Sequence, residues 1–297
     1  MQVSENWGEL MLPGLRHIFN QHIKDMPDYL SKIYSVEKST KAQESTLGTG
    51  EIGTMDPWTG SVSYEDFDKG FKATYIHKKY SKGIQVEREL VDDDQYTEIK
   101  KRVKKLGRTV YYTTQTHAAS TFNNAANAQI LGPDSKPLCA TDHPKMPGSS
   151  SVISNLGTRE LNAENVDLVR NEMVQWTDDK GNLILIQPDT LIVPVSLRKK
   201  ATIIAETKEE PDTADHAVNV YSGGALKVIE WPFLTDQNMW FFVDSMRMKE
   251  FLFWYWRRKP DFADKVEFDD EVSKFKVVGR WSFGADTFTW IYGNNPS

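Results

Sequence analysis

Apolar residues change their spacing several times along this chain, and each change marks a different element. Up to about residue 43 they are sparse. A short amphipathic helix is predicted near Leu15 to Ile23, after Pro13-Gly14, and it is followed by Met26-Pro27 and the polar run Glu37-Lys38-Ser39-Thr40-Lys41. With too few apolar residues to close a core, the stretch reads as an arm. From Gly48 to Leu90 the spacing shortens to alternation: Val62 and Tyr64, then Phe71, Ala73 and Tyr75, then Ile84 and Val86. Turns are expected at Asp68-Lys69-Gly70 and Ser81-Lys82-Gly83, which predicts a meander or long hairpin. Both faces of it are fairly polar, so it should either project or pack on a neighbour. Its aromatic residues Trp58, Tyr64, Phe67, Phe71 and Tyr75 are the candidates for contact with another subunit.

Asp92-Asp93-Asp94 then opens a helical stripe, Tyr96, Ile99, Val103, Leu106, Val110, Ala118, Phe122 and Ala125, because acids at a helix start complement its dipole. Continuous to Ala126, this helix has about 35 residues and a length of ~52 Å, enough to be the spine of a domain. Gly107 interrupts an otherwise good helical pattern and marks either a place for the spine to bend or a close-packing site. Leu131 to Leu156, with Pro133, Pro144 and Pro147, reads as loop.

An α/β alternation follows. It comprises a helix from Ala163 to Trp176, a turn at Asp178-Asp179-Lys180-Gly181-Asn182, strands Leu183 to Ile186 and Leu191 to Val193, a helix capped by Ser196, and strands Leu226 to Trp231 and Trp240 to Val243. The C-terminal stretch alternates as strand. Phe275, Val277, Trp281 and Phe283 hold one parity and Phe288, Trp290 and Tyr292 the other, so a bulge or bend is expected at Gly284-Ala285-Asp286.

Composition narrows the classes. The 297 residues carry a formal charge of −6, which argues against a chain whose affinity comes from neutralising phosphates. No window approaches the ~20 apolar residues of a membrane span, and the start lacks a basic segment followed by an apolar one. One cysteine, Cys139, excludes an intrachain disulfide and suits a reducing cytoplasm. Of nine Trp residues, Trp231, Trp240, Trp254, Trp256, Trp281 and Trp290 crowd the C-terminal part and demand large buried surfaces.

No motif certifies catalysis, and neither a metal nor a cofactor is expected. Gly48-Thr49-Gly50-Glu51-Ile52-Gly53 has the letters of a dinucleotide fingerprint but lacks the buried strand before it and the helix after it. Cys139 and His143 have the spacing of a nucleophile pair on a helix, but Pro137 and Pro144 bracket them and make a loop with a structural His the better reading. Asp92-Asp93-Asp94 fits a helix cap better than a cation site, and the Asp178 to Asn182 run lacks the terminal Glu of a calcium loop.

The order of elements resembles the Hong Kong 97-type capsid fold: a polar arm, a projecting two-stranded loop, a spine helix, an α/β subdomain and a return to long strands. The sequence is also similar to the phage Mu-like major head protein family over nearly its whole length. The similarity runs through Leu12 to Asn20, Gly83 to Asp94, Leu106-Gly107-Arg108, Phe122 to Ala125, Pro137-Leu138, Asp142-His143-Pro144, Asp189 to Pro194, Trp254 to Arg258, and Arg280 to Gly284. The resemblance implies an α+β chain with an N-terminal arm at 1–46, an extended loop at 47–90, a peripheral domain at 91–158 and 244–297, and an axial domain at 159–243. It implies a non-enzymatic major capsid protein that assembles with other copies of itself as hexamers and pentamers in the bacterial host cytoplasm and ends in the virion. That shell would enclose double-stranded DNA without sequence-specific binding. A separate scaffold and protease and a portal protein would be its partners, since no charged helical segment precedes the arm.

Two other classes stay open at this point. The Trp cluster would suit a carbohydrate- or receptor-binding β module, and Cys139 with His143 a hydrolase. A covalent link between a loop Lys and Asn294 or Asn295 is chemically possible where the amine is desolvated.

Overall fold

The computed structural model describes residues 7–55, 57–58, 60–62, 64–87, 90, 93, 95–207, 219–267 and 272–296. The chain opens with α1 (Trp7–Lys24), which starts well before the predicted amphipathic turn and carries Pro13 inside it. After a short α2 (Leu30–Ile33) come β1 (Ser35–Lys38), β2 (Gln43–Thr49), β3 (Lys69–Ile76) and β4 (Lys78–Glu87). β2 and β3 pair antiparallel as a hairpin. The turn expected at Ser81-Lys82-Gly83 is absent, because those residues run straight through β4 opposite Val278, Val277 and Lys276. Among the described residues, no strand forms around Val62 and Tyr64, and the connection from β2 to β3 is irregular.

The spine is α3 (Tyr96–Asn123), 28 residues and about 42 Å long. Asp92 and Asp94 of the predicted helix start lie outside the described residues. Ile99, Val103, Leu106, Ala118 and Phe122 of the predicted stripe are buried, as is Ala125 just beyond the helix end. The first half of α3 packs with Leu15 and Phe19 of α1. In its second half the backbone carbonyl of Ala118 accepts a 2.7 Å hydrogen bond from the buried Tyr34 hydroxyl, which joins the end of α2 to the spine.

Beyond the spine, three short strands, β5 (His143–Pro144), β6 (Val152–Ile153) and β7 (Leu156–Gly157), punctuate the predicted loop. α4 (Ala163–Val174) follows, with the Asn162 side chain accepting a hydrogen bond from the Asn165 backbone and with Val166, Val169 and Met173 buried. The predicted strand from Leu183 to Ile186 reduces to a single bridge, Thr177 to Leu183. Leu185 sits at φ +56° and is exposed, so this run continues the turn instead of entering a sheet. β8 (Thr190–Val193), α5 (Arg198–Glu206), β9 (Lys227–Glu230), β10 (Trp240–Val243) and α6 (Ser245–Phe251) complete this part. Ser196 does not cap α5. Its hydroxyl donates to the Gln237 carbonyl, and a short 3-10 turn leads into the helix.

Two long strands, β11 (Leu252–Glu267) and β12 (Val272–Ala285), and the short β13 (Ile291–Asn294) end the chain. The first sheet has the order β1-β11-β12-β4 and the second β7-β13-β10-β8-β9. β11 breaks register with β12 between Trp256 and Asp261, where Pro260 supplies no N–H for the ladder. The bend expected at Gly284-Ala285-Asp286 proves larger than a bulge. There the chain leaves the first sheet, and its last strand joins the second beside β10.

The second sheet is buried on both faces. Phe241, Val243 and Ile291 meet α3 and the first sheet, while Trp240, Phe242 and Tyr292 meet α4 and α5. All six clustered Trp residues are buried in these cores, which removes the exposed ring face that a carbohydrate-binding module needs. No helix among the described residues is long and apolar enough to cross a membrane.

Candidate assembly surface

The hairpin β2–β3 lies over the aromatic end of β11. Ala73 and Tyr75 are buried on Tyr255, with the Tyr75 and Tyr255 rings 5.4 Å apart. Gly284 makes room for this, because a Cβ there would fall 2.7 Å from the Tyr75 ring. The Tyr75 hydroxyl donates to Asp286, which also accepts from Thr46 at 2.7 Å. Tyr75 is thus covered by its own chain and offers little to a neighbour, a correction to its reading as an inter-subunit contact. Gly48 and Gly70 face each other where the hairpin register shifts, and a Cβ on Gly70 would meet the Gly48 carbonyl carbon at 2.7 Å. Of the three-glycine run, Gly48 thus serves the close approach within the hairpin, while Gly50 and Gly53 lie in the connection beyond β2.

The connection between β2 and β3 is tied to the turn after α4. The Gly50 amide donates to the Asp68 carbonyl at 2.8 Å, the Glu51 amide to Asp179 Oδ1 at 3.2 Å, and Lys180 Nζ to Glu65 Oε1 at 2.7 Å. The Lys180 ammonium beside it, and then the Gly53 amide, hold the Glu65 carboxyl below its usual range. Outward from these ties the described apolar residues of the connection are uncovered. Tyr64 is 92% exposed and Trp58 74%, and Met55, Val62 and Phe67 are exposed as well. Phe71 is half-buried at the rim of a cavity of about 470 Å³ between the hairpin and the body. Of the five aromatic candidates, Trp58, Tyr64 and Phe67 form the exposed set. Large exposed apolar side chains on a short tethered segment are what an inter-chain contact can use.

Gly107 packs on α1. A Cβ added there would sit 3.5 Å from Phe19 Cδ2 and 3.6 Å from Ile23 Cγ1, ordinary contact distances. Gly107→Ala should therefore fit, and at ~1 kcal/mol of helix propensity it should stabilise the unassembled chain slightly. The check is urea unfolding, where a loss of stability would mean the spine needs the freedom of glycine at this point.

Cys139 and His143 go to different partners. Burial pushes the Cys139 thiol well above its usual range, and its sulfur lies against Gly293 of β13. His143 is buried, stacks on Phe288 with centroids 3.8 Å apart, and holds Asp134 Oδ2 at 2.5 Å through Nδ1. A buried thiol high in its protonated range, without a base, is a packing group. Asn294 is fully buried, with Oδ1 accepting from the Arg159 amide, so a cross-link there would have to break into the sheet. Among the described residues no cluster of His, Cys, Asp and Glu is suited to a metal.

The sequence profile described as phage capsid protein matches residues 72–294, three quarters of the chain. The chain belongs to the phage capsid protein family. Among solved structures, this capsid chain is similar to the procapsid of bacteriophage JBD30, with TM-score 0.58 at 14% identity over 99% of this chain and 77% of the other. It is similar to the mature capsid of bacteriophage PhiM1, with TM-score 0.58 at 10% identity over 92% and 88%. A virus-like particle from Pyrococcus furiosus matches with TM-score 0.55 at 10% identity over 95% and 98%. At such identities the likeness establishes the fold, which for this capsid chain is the Hong Kong 97-type. No curated protein matches its sequence.

Proposed function

We propose that this chain is the major head subunit of a tailed bacteriophage, of the Mu-like kind. It builds an icosahedral shell around double-stranded DNA from hexamers and pentamers of itself and has no catalytic site. The observation that carries the reading is the family match across residues 72–294 on a chain with the capsid fold. In this reading residues 1–46 are the arm and 47–90 the extended loop. Residues 91–158 with 244–285 form the peripheral domain, and 159–243 the axial domain, to which β13 adds the strand seen in the second sheet. The shell assembles in the host cytoplasm, with scaffold, protease and portal as separate proteins. Trp58, Tyr64, Phe67 and the rim residue Phe71 supply the loop's contact with the next subunit, and Gly107 is where the spine flexes as the shell changes shape.

A connection with exposed aromatic residues, held by a few surface ties, opens readily in isolation and gains order by burial on a partner. Hydrogen exchange across residues 50–68 should accordingly be fast in unassembled subunits and strongly slowed in shells, with proteolysis at Lys69 and Lys72 following the same order. Equal protection in both states would remove the loop from the assembly interface.

A further inference from the structure

The net charge of −6 conceals a strongly basic face. Lys100, Lys101, Lys104, Lys105 and Arg108 are all exposed on the first half of α3. At 3.6 residues per turn they fall within about 140° of arc and ~12 Å of helix length, opposite the buried Ile99, Val103 and Leu106. Among the described residues, the one ion pair on this face is Lys101 with Glu98 at 3.4 Å. Arg108 lies over the Tyr112 ring, 5.5 Å from its centroid. Packing does not require these charges, since the hydrophobic side of the helix is complete without them.

We propose that this face of α3 is where the chain touches the phosphate backbone of double-stranded DNA, an inference that rests on the shell reading above. Two observations favour DNA over an acidic protein segment. The cations form two rows along the helix, Lys100-Lys104-Arg108 and Lys101-Lys105, with members of a row one turn or ~6 Å apart. Between Tyr96 and Tyr112, which are themselves exposed, the exposed residues include no apolar side chain. A docked peptide draws its affinity from buried anchors, for which this face offers only Tyr96 and Tyr112 at its two ends, ~24 Å apart along the helix, whereas phosphate neutralisation needs only clustered mobile cations. Four of the five are lysines, point charges that follow a backbone without reading bases. Contact of this kind is weak, independent of sequence and quickly lost as salt rises. In the shell it places this face of the spine toward the interior.

The test is fluorescence anisotropy of a labelled mixed-sequence 30-base-pair duplex titrated with unassembled full-length chain between 50 and 300 mM KCl. Five phosphate contacts predict a slope of log affinity against log salt near about −4.5, and Lys100→Gln/Lys104→Gln/Lys105→Gln should make it shallower by about 2.7. Lys199→Gln/Lys200→Gln, exposed on α5, should leave it unchanged. If the triple variant fails to fold, Arg108→Gln alone should remove about 0.9 from the slope. Unchanged duplex binding in the α3 variants overturns the proposal, as does absence of duplex binding. Binding of polyglutamate but not duplex would overturn it in favour of an acidic protein partner. Electron microscopy of the same preparations separates the two readings: shells without duplex affinity refute this inference alone, and absence of shells from the unaltered chain refutes the reading it rests on.

Discussion

Trp254→Ala should destabilise the unassembled chain by about 3–5 kcal/mol, a cost typical of removing a fully enclosed indole. Trp254 is completely buried where β1, β11, β12 and α2 converge. Its ring stacks on Phe283 at 5.2 Å and 10° and meets Tyr34 edge-on at 5.9 Å. Little can collapse into the space, because Trp256 and Trp281 are held by the same strands in a fixed register. Among the described residues the indole N–H has no hydrogen-bond partner. Trp254→Phe keeps a ring and removes that orphan donor, so it should cost less than about 1.5 kcal/mol. Urea unfolding of the three chains checks the order, and an alanine cost below that of phenylalanine would contradict the packing account.

The opposite pattern is expected of Trp58→Ser/Tyr64→Ser/Phe67→Ser. All three rings are exposed in the single chain. Their loss should leave the unfolding midpoint nearly unchanged and act only on association. Aromatic anchors at an interface commonly contribute about 1–2 kcal/mol or more each, and every 1.4 kcal/mol is a factor of ten. The concentration needed for assembly, followed by light scattering, should rise at least ~100-fold. Assembly at the unaltered concentration would show that this connection faces solvent in the particle as it does in the chain.

The elements most legible in the sequence are those with one wet face. α3 announced itself because Ile99, Val103 and Leu106 are buried while Lys100, Lys104 and Lys105 are not, and β12 because Phe275 and Val277 alternate with exposed or partly exposed residues. β11 left no such trace. Its run Phe253-Trp254-Tyr255-Trp256 is covered on one side by the main core and on the other by the hairpin, so period-two alternation vanishes. The false turn at Ser81-Lys82-Gly83 has a related cause. β4 turns a polar face outward, and Gly83 serves a close approach, a Cβ there lying 3.1 Å from the Phe275 carbonyl oxygen.

At the candidate surface, the exposure of Trp58, Tyr64 and Phe67 followed from a hairpin with little core of its own. The burial of Tyr75 did not, because it depends on Tyr255, Gly284 and Asp286 far along the chain. The basic face of α3 was hidden by a whole-chain charge that averages it against acids elsewhere.

The central claim is that this chain closes on copies of itself, and electron microscopy of the purified protein tests it most directly. The account predicts five- and six-membered rings and closed icosahedral shells, with residues 50–68 lying across the neighbouring subunit. Uniform monomers or open, irregular aggregates, under conditions where the chain is folded, would contradict it.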